Sequence, residues 1–362
     1  MRVSMPHMGN LYIPMKTLLL ELNVDTVIPP MNSQRTLSLG TKYSPEGLCI
    51  PFKLTLGNFI EAAELGADTL LMAGGHGICR LGYYARTQEQ ILHELGYDVE
   101  IVRLGVSERK LFGFMDMVKR LSNNAPWRKI IPAFRFGIAK MDALDDIEKE
   151  VHRIRPREQT KGTANRTYSK AIKAIDEADR YSSVKRVLKN YLAELRQIPQ
   201  KADARPLTVG VIGEFYVVLE PFSNLDVENE LGKLGVEVKR PLFISEWTKF
   251  NLFFGLGKRF RKDDKTKFHE AAMPYLKRDV GGEGWETVGE KVFYAGKYDG
   301  LVHLAPFTCM PEIVAQNIMP STKENIPVLT IFCDEQMGKP GMLTRVEAFV
   351  DLLKRRRQKF NN

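Results

Sequence analysis

Residues 300–335 read GLVHLAPFTCMPEIVAQNIMPSTKENIPVLTIFCDE. The apolar run Leu301 to Ala305 predicts a buried strand, and a turn follows it. Cys309-Met310-Pro311 then opens a helix, Pro327 to Phe332 is a second strand, and Cys333 stands at its exit. Two short β-rich runs joined by one helical segment are the pattern of a parallel βαβ unit. A related layout lies near the N-terminus. There Cys49-Ile50-Pro51 opens the helix CIPFKLTLGNFIEAAELG, Thr69 to Met72 is a strand, and the loop AGGHGIC delivers Cys79. We read Cys49 as the counterpart of Cys309 and Cys79 as that of Cys333. All four cysteines of the chain fall in these two stretches.

The placement points to chemistry. Proline is accepted in a first helical turn because its missing N–H has no partner there. A cysteine just before it faces free backbone N–H groups and the positive helix end, which favour the thiolate that binds metal. Cys79 and Cys333 follow strands, and open α/β sheets gather ligands beyond the carboxyl ends of their strands. The competing reading is four small core residues, the usual fate of a free cysteine. No C-x-x-C pair is present, so spacing leaves zinc and an iron–sulfur cluster both open.

From residue 1 to about 104, short strands alternate with helices, as in a parallel sheet covered on both faces. From Ser107 to about Ala204 helical periodicity dominates, broken by a polar stretch, RIRPREQTKGTANR, expected to be an exposed loop. Alternation resumes at LTVGVIGEF (207–215). The predicted class is α/β, with two Rossmann-like, doubly wound parallel-sheet domains and an inserted helical layer. The expected domains are 1–106, a helical insertion or lid 107–204, and 205–362. The aromatics Trp247, Phe250, Phe253, Phe254 and Phe260 are expected to form a local core cluster.

Hydrophobic residues make up 44% and charged residues 27%, the balance of a globular chain. No apolar run is long enough to span a bilayer and no signal-peptide core opens the sequence, so a cytoplasmic protein without a membrane partner is expected. The net charge is +9, from 53 Lys and Arg against 44 Asp and Glu. Nucleic acid is not expected as a partner, because no aromatic–basic module accompanies the charge. A Cys/His hydrolase would use His76 near Cys79 or His303 near Cys309, but neither has an evident orienting group. His76 and Glu312 remain as weak catalytic candidates. Glu312 falls in a first helical turn, where a carboxylate is stabilising in any case.

Three segments carry a family resemblance: GEFYVVLEPFSN (213–224), APFTCMPE (305–312) and FCDEQMGKPGMLTRVEAFVDLL (332–353). Together with the Cys49 and Cys79 segment they resemble the 2-hydroxyacyl-CoA dehydratase family. That family includes subunits of 2-hydroxyglutaryl-CoA dehydratase and benzoyl-CoA reductase, the double-cubane cluster proteins, and chains described as CoA-substrate-specific activase-related. The resemblance implies two Rossmann-like domains and an oxygen-sensitive [4Fe–4S] cluster, or a double-cubane [8Fe–9S] cluster. It implies Cys49, Cys79 and Cys309 as ligands, with Cys333 a fourth metal candidate that departs from the family's pattern. It also implies a separate ATP-hydrolysing iron–sulfur activator protein that donates a low-potential electron, and a homologous partner subunit in a homo- or heterodimer. The substrate would be an acyl-CoA or another small molecule, undergoing radical dehydration (a lyase reaction) or reduction. A fourth thiolate would instead close the site and make a non-catalytic electron-transfer or interaction protein. A structural zinc protein is the third reading.

Overall fold

The computed structural model describes residues 1–74, 78–104, 110–248 and 264–361. The chain divides into two compact units, Met1–Met141 with Glu246–Arg259, and Asp142–Ser245 with Phe260–Asn362.

The first unit holds a parallel sheet of β1 (Arg2–Ser4), β2 (Asp25–Thr26), β3 (Thr69–Ala73) and β4 (Glu100–Leu104), in the order β2-β1-β3-β4. Successive side chains of a strand point to opposite faces, so β3 feeds two cores. Leu70 and Met72 pack under Phe52, Leu56 and Phe59 of α3 (Ile50–Glu64) and Leu92 of α4 (Leu81–Glu94). Leu71 packs under Leu19 of α1 (Tyr12–Glu21), Val118 of α5 (Lys110–Leu121) and Ile130 of α6 (Trp127–Ile154). Each such side chain, fully buried, contributes roughly 1.5–3 kcal/mol. Between β2 and α3 runs α2 (Gln34–Tyr43). It meets α3 backbone to backbone: a Cβ on Gly40 would lie 1.7 Å from the Lys53 carbonyl oxygen, and one on Gly57 2.0 Å from that of Thr36. Only glycine permits that approach.

In the second unit α7 (Thr163–Glu177) and α8 (Tyr181–Gln197) form a helical pair. Its sheet comprises β5 (Leu207–Gly213), β6 (Val236–Lys239), β7 (Gly300–Pro306) and β8 (Val328–Cys333), all parallel, in the order β6-β5-β7-β8. After β5 come α9 (Phe215–Leu219) and α10 (Val227–Lys233), and after β6 come α11 (Ile244–Thr248), α12 (Asp264–Ala272) and α13 (Gly284–Tyr294). The helix α14 (Met310–Ile318) links β7 to β8, and α15 (Lys339–Asn361) closes the chain. Ile212 and Leu301 pack against α12, α13 and α14 through Ala272, Val288 and Ala315. Phe349 and Leu353 of α15 close over Gly300, where a Cβ would lie 2.8 Å from Phe349 Cζ and push these side chains aside. Among the described residues no helix is long and apolar enough to cross a membrane.

Both sheets share one strand order, and that order corrects the expected matching of cysteines. Cys79 follows β3 and Cys309 follows β7, the third strand of each sheet, so these two are the counterparts. Cys49 opens the helix leading into β3, where the second unit has Glu283 before α13, and Cys333 ends β8 where the first unit has Leu104. The Cys-x-Pro likeness is local, whereas the equivalence is topological.

The stretch RIRPREQTKGTANR is also corrected, because Arg155, Pro156 and Glu158 are buried. Glu158 accepts the N–H groups of Gly162 and Ala164 at 2.6 and 2.7 Å and so caps α7. The Arg155 Nε donates to Asn165 Oδ1 at 2.7 Å, and Arg157 pairs with Glu237 at 2.5 Å. His76 and the aromatics Phe250, Phe253, Phe254 and Phe260 lie outside the described residues, and nothing is described of the Trp247 side chain.

Candidate metal centre

Cys49 is the N-cap of α3, with extended backbone (φ −73°, ψ 160°), Pro51 in the first turn, and no side-chain capping bond. Its carbonyl accepts the Phe52 N–H at 3.0 Å, and its Sγ lies 2.7 Å from the Tyr84 hydroxyl of α4. Cys79 is half-buried in the turn that enters α4, where its carbonyl accepts the Gly82 N–H at 3.3 Å. The neighbouring Arg80 donates through Nη1 to the Gly47 carbonyl at 2.7 Å. That bond ties the Cys79 turn to the segment entering Cys49.

Cys309 caps α14 in the same manner, with Pro311 in the first turn and no side-chain capping bond. Ahead of it Thr308 has φ 68°, a left-handed conformation that β-branched residues seldom take. The turn is held by the Cys309 N–H donating to the Pro306 carbonyl at 3.0 Å and the Phe307 N–H donating to the Cys333 carbonyl at 2.9 Å. Large apolar side chains stand exposed beside both equivalent turns: Ile78 and Tyr83 by Cys79, and Phe307, Met310 and Ile313 by Cys309.

Cys333 is different. It is fully buried, and its thiol lies 3.9 Å from the Ile331 carbonyl oxygen as a weak donor. Burial, then the charges of Glu214 and Asp334, push that thiol far above the usual range, so the neutral form is favoured.

A buried polar group surrounds the carboxyl end of the second sheet. Glu214 follows β5 beside β7, next to Gly213 (φ 127°), and β5 and β7 are the neighbours at which the strand order reverses. Burial pushes its carboxyl up to about 7, aided by Glu312 and Glu283 and opposed by the N–H groups of Val217 and Tyr216. His303 in β7 and Glu312 in α14 are both fully buried, with Nε2 2.8 Å from Oε2. Thr287 of α13 donates to the same Oε2 at 3.1 Å, and Thr330 of β8 lies 3.3 Å from His303 Nδ1. Glu312 Oε1 has no hydrogen-bond partner among the described residues.

The sequence reading weighed His303 only as a hydrolase imidazole and passed over Glu214 and Thr287, because their meeting depends on the strand order. It also missed His7 and Asn58, fully buried beyond β1, where the His7 N–H donates to Asn58 Oδ1 at 2.9 Å. An apolar flank with one buried histidine gave no local signal for either.

Among the described residues, the metal-capable side chains whose ligand atoms gather within 4.8 Å are Glu148, His152 and Glu228, with no cysteine in the group. That group already contains a cation. Arg240 reaches Glu148 at 2.5 Å and Glu228 at 3.0 Å. Burial alone would raise the Glu228 carboxyl, but Arg240 and then His152 hold it down at about 2. A metal ion there would have to displace a buried guanidinium, so the group is an ion-pair network.

Among the described residues no three cysteines gather their sulfurs; what Cys49, Cys79 and Cys309 share is a place at or just before the start of a helix. Two cap helices at positions where backbone N–H groups stabilise anionic sulfur, and the sulfur of one of these lies 2.7 Å from a tyrosine hydroxyl. The third is half-buried, in the turn that opens a helix. The fourth, Cys333, does not fit that pattern. No protein-family model matches the chain, and no curated protein matches it.

Proposed function

We propose that the chain is an iron–sulfur component similar to 2-hydroxyacyl-CoA dehydratase subunits. In this reading it has Rossmann-like halves, takes a low-potential electron from an ATP-dependent activator, and acts on a CoA thioester or another small molecule. The observation that carries the reading is the placement of Cys49, Cys79 and Cys309. Each lies at the start of a helix covering a parallel sheet, and two of the three occupy equivalent corners of sheets with the same strand order. These three are the ligands in this reading. A bound cluster would supply one-electron chemistry, and these residues would hold it, orient it and exclude water from it.

The chain's own residues have assignable parts. The Tyr84 hydroxyl orients the Cys49 sulfur. Glu214 at the sheet's carboxyl edge, its carboxyl raised to about 7 by burial, would serve as an acid–base group in this reading. The exposed apolar side chains beside Cys79 and Cys309 suit the docking of a partner subunit or activator. A closed four-cysteine carrier would need the Cys333 thiolate, which its buried position beside Glu214 and Asp334 opposes.

Anaerobic reconstitution with iron and sulfide, followed by metal analysis and electron paramagnetic resonance, tests the assignment. Iron uptake in the wild type, lost in Cys309→Ser and retained in Cys333→Ser, supports it. A wild type that takes up zinc but no iron, or a Cys309→Ser variant that loads normally, sinks it.

A further inference from the structure

A cavity of about 430 Å³ opens to solvent beside the outer strand of the second sheet, lined by Lys291, Gln316, Met319, Val328 and Thr330 among others. Thr330 is also the start of a line of hydrogen-bonding atoms that runs inward. Its Oγ1 lies 3.3 Å from His303 Nδ1, and His303 Nε2 lies 2.8 Å from Glu312 Oε2. His303 and Glu312 are fully buried, and Glu312 sits in the first turn of α14, the helix that Cys309 caps. An apolar pair of the same volume would hold β7 against α14 at least as well. A buried imidazole and carboxylate in line with a solvent-open cavity therefore call for another account.

We infer that Thr330, His303 and Glu312 form a proton conduit between this cavity and the Cys309 end of α14, matching an electron received there with a proton. The part concerning the electron rests on the iron–sulfur reading; the conduit itself does not. In the resting arrangement the Thr330 hydroxyl donates to Nδ1, and Nε2–H donates to the Glu312 carboxylate. Thr330 passes its proton to Nδ1 and takes another from cavity water, and the hydroxide left behind is neutralised by a proton from bulk solvent, to which the cavity is open. Nε2 releases its proton to Glu312, which becomes the neutral acid, and the ring is left as the other tautomer. One negative charge is removed by one proton, and the reverse shift through the same atoms resets the ring.

The other ionisable groups on the elements packed around the pair are Glu214 after β5, Glu283, Glu286, Glu290, Lys291 and Tyr294 at or on α13, and Cys333 ending β8.

The test uses the full chain without metal, labelled with ¹⁵N at its six histidines, the His303 signal being assigned by its loss in His303→Gln. The measurement is exchange of the His303 ring N–H with water. Thr330→Val should slow it roughly tenfold, the scale of one lost hydrogen-bonded link, and Thr330→Ser should restore it. Exchange that is unchanged or faster in Thr330→Val, with Thr330→Ser like the valine variant, overturns the conduit. In the iron-loaded protein the midpoint potential should follow pH in the wild type and cease to do so in Glu312→Gln. A wild-type potential independent of pH overturns the coupling. Thr330-dependent exchange in a chain that takes up no iron upholds the conduit and removes only the metal reading.

Discussion

The Cys49 sulfur and the Tyr84 hydroxyl oxygen lie 2.7 Å apart inside the core of the first unit. Tyr84 is held there by its ring, which meets Phe52 edge to face at 5.0 Å between centroids. Tyr84→Phe keeps that packing and deletes only the hydroxyl. Such outer partners of a metal ligand are commonly worth about 10- to 100-fold in affinity. With Cys49 an iron ligand as proposed, the variant should fold normally and retain iron about 10- to 100-fold less tightly, read by anaerobic chelator competition. Equal retention would remove Tyr84 from the site.

Cys333 and Cys79 should differ in reactivity. Burial pushes the Cys333 thiol up, and alkylation needs an accessible thiolate. In the native protein at pH 8, iodoacetamide should label half-buried Cys79 at least about tenfold faster than Cys333, measured by peptide mass spectrometry. The folded-state value is raised, so its contribution to stability is full below the ordinary thiol range and is lost as pH rises above it.

Glu214 gives a second pH dependence. Its carboxyl is raised from 4.5 to about 7. The stability it contributes is complete below pH 4.5 and is lost as pH rises through about 7. Because the residue retains some solvent contact, we expect a loss of ~2 kcal/mol across that window. Glu214→Gln should flatten the dependence in denaturant titrations from pH 4 to 8. An unchanged slope would place the carboxyl's titration elsewhere.

The Arg240 network makes the opposite forecast. Glu228 is held at about 2, so its contribution is present above 4.5 and lost as pH falls toward 2. Arg240→Met strands Glu148 and Glu228 without their shared cation, a change that typically costs about 3–5 kcal/mol. Thermal melting at pH 7 should show a large loss. Replacing Arg240, Glu148 and Glu228 together by apolar residues should recover much of it, because the desolvation cost disappears with the charges.

How far the fold could be read ahead depended on the range of the signal. The Pro after each of Cys49 and Cys309 marked a helix start, and both residues are N-caps. The apolar runs at 69–72 and 301–305 marked strands that are present. Pairing between strands left no local trace. Cys49 was matched to Cys309 on the strength of a shared tripeptide, whereas strand order makes Cys79 the equivalent residue. Arg155 and Glu158 looked like parts of a solvated loop because the groups that satisfy them, Asn165 and the first turn of α7, are recruited only on folding. His303 and Glu312 are nine positions apart, and a turn must reverse the chain before they meet.

The repeated strand order has a historical corollary. A half-length forebear with one thiol at the corner after its third strand, duplicated in tandem, would leave Cys79 and Cys309 as the inherited pair. Cys49 and Cys333 then become later, asymmetric acquisitions, one at each copy's own corner. On that descent the two oldest sulfurs should be the hardest to replace, and Cys333 the one whose loss the molecule tolerates best.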